Sequence, residues 1–152
     1  MRYIKLWGVW IYCAVHMCVL VSSLRSPRAI AEYLGVVLSK SIRALEFLES
    51  VGLIQIVEGG YQGTEIRIHL ASDSPLIGKH HSNWRLQAIR SLDRESPSEL
   101  HYSSIVGIAY QDVPKVREIL VKAIEQVRAI VRESEDEAVY CYALDLFGLG
   151  NK

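Results

Sequence analysis

The chain has 152 residues, half of them hydrophobic and 22% charged, enough for one ordinary domain or two small units and too few for a large multidomain protein. That balance excludes a disordered chain. Lys plus Arg and Asp plus Glu both total 17, so no strong overall field draws the molecule to phosphate backbones, although residues 1–95 hold 11 basic and 8 acidic side chains against 6 and 9 in residues 96–152.

Leu6 to Val21 is an apolar run behind Arg2 and Lys5, the outline of a secretory signal. His16 interrupts it, SSLRSPRA offers no small-x-small cleavage site, and 16 residues are short for a bilayer. The run therefore reads as a core helix, with Cys13 and Cys18 filling its interior. Three cysteines, counting Cys141, neither pair nor cluster, which points to a reducing compartment and a cytoplasmic location. His69, His80, His81 and His101 lack the spacing of metal ligands, so no metal is expected.

Ser26-Pro27 is an N-cap followed by proline at the first helical position, and Ile30, Tyr33 and Leu34 fall at helical spacing before Gly35. A third helix follows, in which Ser41, Ala44, Leu45, Leu48 and Val51 recur every three or four residues and Gly52 ends the run. Small residues at Ala31 and Ser41 allow the two helices to cross closely, as a helix-turn-helix requires. Leu53 to Val57 and Thr64 to Leu70 alternate as strands around a turn at Glu58 to Gly63, which predicts a wing.

Ala71 to Gly78 reads as a connector, and Ser82 as the cap of a helix running to about Arg94 with Trp84, Ala88 and Leu92 on one face. Asp112-Val113-Pro114 opens a long helix carrying an apolar stripe from Val116 to Val131. Tyr102 to Tyr110 and Ala138 to Phe147 are rich in strand-forming residues, so a strand-helix-strand unit is predicted over that stripe. The fold class expected is α+β: a winged helix-turn-helix over residues 1–78, then a helix and a small βαβ unit over 79–152. Because a two-stranded sheet is marginal in water, a homodimer is expected to complete it.

With the pieces in this order the chain resembles the bacterial domain-of-unknown-function family 4423. The residues that carry the likeness are the helix around Trp10, Ala14 and Val15, the segment IAEYLGVVLSKSIRALEFLESVGLI, the wing, the stretch from His81 through IRSLDRESPSELHYSSI, and the ending VYCYALDLFGL. The resemblance implies a part in transcription regulation and supplies no catalytic residue. Longer members of that family carry an N-terminal region that looks like a second helix-turn-helix, which implies either a natural short form here or a partner that supplies DNA binding.

On a groove-facing third helix the outward positions are Val37, Leu38, Ser39, Ile42, Arg43 and Glu46, flanked by Lys40. Arg28, Ser39, Lys40, Arg43 and, on the wing, Arg67 are the candidate DNA contacts. Val37, Leu38 and Ile42 are the candidate protein-interaction surface, and DNA and a protein partner both stay open at this point. No G-x-S-x-G, H-E-x-x-H, Walker A or G-x-G-x-x-G is present, so neither an enzyme nor a cofactor is expected. A small-molecule site in the C-terminal unit would draw on Asp145, Tyr140, Tyr142 and His101.

Overall fold

The computed structural model describes residues 8–66, 70, 73–94 and 96–150. Its elements are α1 (Trp10–Leu20), α2 (Pro27–Leu34), α3 (Leu38–Ser50), β1 (Ile54–Val57), β2 (Gly60–Gly63), α4 (Ile77–Ser91), a 3₁₀ turn (Tyr110–Asp112) and α5 (Val113–Glu133). The class is α+β. The described residues divide into two compact units, one running to Ser91 and taking in Asp136–Ala143, the other formed by Leu92–Glu135 and the residues from Leu144 on.

In the first unit α1, α2 and α3 close around Val15, Cys18, Val19, Ile30, Leu45, Leu48, Leu53 and Ile54, all essentially removed from water. α2 starts where expected: Ser26 Oγ accepts from the Ala29 N–H at 3.1 Å with Pro27 at the first position. It stops at Gly35, whose φ of 62° places it in the left-handed region. The Gly35 and Val36 amides donate to the Glu32 and Ala31 carbonyls at 3.3 and 3.0 Å, which satisfies the helix's last acceptors. α3 ends in the same motif: Gly52 has φ 79°, and the Gly52 and Leu53 amides donate to the Glu49 and Leu48 carbonyls. Leu48 and Leu53, wholly buried, make the apolar contact that accompanies such an ending.

Ala31 and Ser41 are buried where α2 meets α3. The Ser41 hydroxyl donates to the Pro27 carbonyl at 2.8 Å, so the buried hydroxyl at the crossing is paired. Tyr12 and Phe47 add an edge-to-face ring pair at 4.9 Å between α1 and α3.

β1 and β2 pair antiparallel, Ile54 with Gly63 and Val57 with Gly60, joined through Glu58-Gly59. The expected turn over Glu58 to Gly63 and second strand over Thr64 to Leu70 are thus corrected: the turn is Glu58-Gly59, and the second strand begins four residues earlier, at Gly60. Glycine makes this possible, since Gly59 and Gly60 both take positive φ, 91° and 131°. Gly60 also lies flat against the Arg25 backbone, so closely that a Cβ there would collide with the Arg25 carbonyl, and the next amide, Tyr61, donates to that oxygen at 2.9 Å. Thr64 ties the hairpin exit back to the end of α3, its hydroxyl donating to the Gly52 carbonyl at 2.8 Å and its amide to the Leu53 carbonyl at 3.0 Å. Residues 67–69, the remainder of the expected strand, lie outside the described residues, as do 71 and 72.

α4 begins at Ile77, five residues before the expected cap at Ser82. Ser74 turns the chain instead, its side chain accepting from the Leu76 amide and its carbonyl from the Ile77 amide. Ser82 sits inside the helix and donates to the Gly78 carbonyl at 2.9 Å. The inward residues are Asn83 and Ser91, with His80, Trp84 and Gln87 half-buried, whereas Ala88 and Leu92 are exposed. A largely polar face is what faces in, and hydrophobic periodicity does not mark such a face.

In the second unit the long helix is present as α5, introduced by the 3₁₀ turn and by Pro114 in its first turn. No residue of it is buried. The strands expected over Tyr102 to Tyr110 and Ala138 to Phe147 are not formed, and the βαβ unit is corrected accordingly: among the described residues the sheet is β1–β2 alone. A strand is defined by its partners, and β-forming composition without a ladder leaves irregular, exposed chain. The second of these segments also straddles the two units, with Val139 held in the first by Tyr33, whose hydroxyl receives the Val139 amide at 2.9 Å.

Candidate functional site

Burying Ser41, Ala44, Leu45 and Leu48 fixes what α3 turns outward: Val37, Leu38, Ser39, Lys40, Ile42, Arg43 and Glu46 are all exposed. Val37 just before the helix is 62% exposed, Leu38 46% and Ile42 38%. The expected apolar trio is therefore gathered on one surface at the N-terminal end of the helix. Beside it lies an open depression of about 600 Å³ lined by Arg28, Ala31, Glu32, Gly35, Val36, Val37 and Leu38. The α2–α3 turn builds it, because the Gly35 reversal carries the backbone sharply away from α2 and leaves the small Ala31 at its floor.

Two of the cations near this surface, Arg28 and Arg43, are engaged within the chain. Arg28 donates through Nε to Glu32 Oε1 at 3.0 Å, one helical turn away, an exposed pair of the class that contributes a few tenths of a kcal/mol. Its main consequence is that the Arg28 charge is matched by a carboxylate at the rim. Arg43 donates through Nε to the Ser39 carbonyl at 3.2 Å. Lys40 is exposed, and Glu46 and Glu49 share the outward side of the same helix. Arg28, Ser39, Lys40 and Arg43 thus stand on the surface proposed for them, whereas Arg67 lies outside the described residues. The depression, and Glu32 as the partner of Arg28, were not among the expected site residues; the four-residue spacing of Arg28 and Glu32 on a helix was the available signal.

Elsewhere the titratable groups are poor chemical tools. Burial pushes the Cys13 thiol up to about 12 and Cys18 up to about 11, which keeps both protonated and unreactive at neutral pH. Burial also raises the Cys141 thiol, partly offset by the charge of Arg85. His16 is held below its ordinary value by burial, against which a hydrogen bond with the Leu53 backbone acts; His80 is lowered by burial and by its neighbour His81. Among the described residues no group of three or more His, Cys, Asp or Glu side chains is placed to hold a metal ion. Of the residues considered for a small-molecule site, Tyr140 and Tyr142 belong to the first unit and His101 and Asp145 to the second, and all four are exposed.

No helix of the described residues is long and apolar enough to cross a membrane. A search of protein families finds one whose model matches residues 2–149 and whose description is "Domain of unknown function (DUF4423)". No curated protein and no solved structure matches the chain.

Proposed function

We propose that this chain, which belongs to the DUF4423 family, is a non-enzymatic regulatory module of winged helix-turn-helix type that acts as a homodimer. It contributes to transcription by supporting a DNA-binding partner through protein contact. The observation that carries the reading is the outward face of α3, where Val37, Leu38 and Ile42 are exposed together beside a depression. Base readout draws on Arg, Lys, Asn and Gln at such positions, and a face of three aliphatic side chains flanked by internally bonded arginines serves an apolar anchor residue of a protein better. Three buried helix contacts and a two-stranded hairpin directly after α3 support the winged-helix reading.

DNA contact by the same face is the second reading, favoured by the exposure of Lys40 at the start of α3. The double variant Lys40→Glu, Arg43→Glu separates the two. Under the protein-docking reading, fluorescence anisotropy gives the same weak affinity for a random duplex before and after the change. A loss of about tenfold or more on charge reversal, with the thermal transition intact, contradicts it.

A further inference from the structure

We propose that residues 136–143 are a strap latched to the first unit at a single residue, Val139, by the Tyr33 hydroxyl, and that this strap opens without unfolding the core beneath it. The device lies apart from the outward face of α3 and does not depend on what that face binds.

Ala138 to Ala143 has the aliphatic and aromatic composition of a strand but no ladder partner. Tyr33 replaces the ladder at one residue. Its hydroxyl accepts the Val139 amide at 2.9 Å and donates to the Val139 carbonyl at 3.5 Å. One oxygen thus meets both backbone groups of Val139, as a facing residue does in an antiparallel pair. Only a side chain that donates and accepts can do this, and phenylalanine does neither. The Val139 side chain meanwhile packs against the core of the first unit. Two residues on, the charge of Arg85 on α4 acts on the Cys141 thiol.

The latch is narrow. Among residues 134–150 Val139 alone is half-buried, and every other residue is exposed. The chain before Asp136 and after Ala143 belongs to the second unit, so the strap is pinned near its middle. Opening it breaks the Tyr33 pairing and lifts one valine, while Ile30, Leu45 and Leu48 stay buried among the helices. Segments with so little buried surface open locally at a fraction of the cost of global unfolding. Open, the unit offers the Tyr33 hydroxyl and the vacated valine seat together, a site for an extended segment bringing one small aliphatic side chain. Closed, the chain's own strap fills that site with the advantage of a tethered competitor.

Amide exchange followed by NMR on the full chain tests the strap. In the wild type the Val139 amide should exchange about tenfold or more slower than unstructured chain, at a rate that low urea leaves unchanged. The Leu48 amide inside α3 should exchange more slowly still and quicken as urea rises, because only global unfolding frees it. Tyr33→Phe should quicken exchange at Val139 about fivefold or more, since both backbone bonds are lost. A wild-type Val139 amide that exchanges as fast as unstructured chain overturns the latch. One that follows the urea dependence of Leu48 overturns independent opening, and a rate that Tyr33→Phe leaves unchanged overturns the role of Tyr33. A second variant, Val139→Asp, leaves Tyr33 and the helices intact and should bring the amides of residues 138–143 to the unstructured rate with the thermal transition still cooperative; protection retained there overturns the strap.

Discussion

Gly60 shows how a single residue holds the hairpin in place. Its φ of 131° and its contact with the Arg25 backbone are both closed to an L side chain, so Gly60→Ala should cost about 1–3 kcal/mol through backbone strain and displacement. Urea unfolding should show the loss, and a variant within about 0.5 kcal/mol of wild type would mean that the hairpin sits elsewhere. Leu45, wholly buried between the three helices, should cost about 2–5 kcal/mol as Leu45→Ala. His16 gives the first unit a pH dependence of definite sign. Its folded value lies below the ordinary 6.5, so the unfolded chain binds the proton more readily and stability falls as pH drops below about 6.5, down to the folded value. His16→Gln should reduce the slope of thermal stability across that window, leaving the contribution of His80, which is lowered as well, and an undiminished slope would contradict the assignment.

At the scale of elements, α2 and α3 were legible because helical periodicity agrees with a cap or a glycine stop, whereas α1 was legible only as an apolar run. Ser26-Pro27 and Gly35 bracket α2, and Ser41, Ala44, Leu45 and Leu48 mark the buried side of α3. What was not legible has physical causes. The hairpin reverses at Glu58-Gly59 because Gly60 must touch Arg25, a tertiary contact that a run containing several glycines does not reveal. α4 turns polar residues inward, so a hydrophobic pattern locates neither its start nor its face. Tyr102 to Tyr110 has strand composition and no ladder partner, and composition cannot report a partner. The exposure of Val37, Leu38 and Ile42 was legible, because outward positions on α3 follow from inward ones. The depression beside it depends on how Gly35 redirects the chain. The α2–α3 crossing supplies its own test. Ser41→Leu should destabilise by more than Ser41→Ala, since the former overfills a closely packed crossing while the latter loses one hydrogen bond worth about 1 kcal/mol. Equal costs by urea unfolding would mean that the crossing has room to spare.

The whole molecule joins two units of different character. The first has a well-closed core of its own, and the second is a long amphipathic helix with exposed, apolar flanking chain. The molecule's formal net charge is zero, so no strong overall field draws it to phosphate backbones. The measurement that tests this most directly is the salt dependence of binding to a random DNA duplex, made on protein whose mass has been fixed by light scattering. The account predicts weak binding, with log K falling against log salt no more steeply than a slope of about −2, as two phosphate contacts would give. Submicromolar affinity at physiological salt with a slope of about −5 or steeper would contradict it and make α3 a DNA-reading helix.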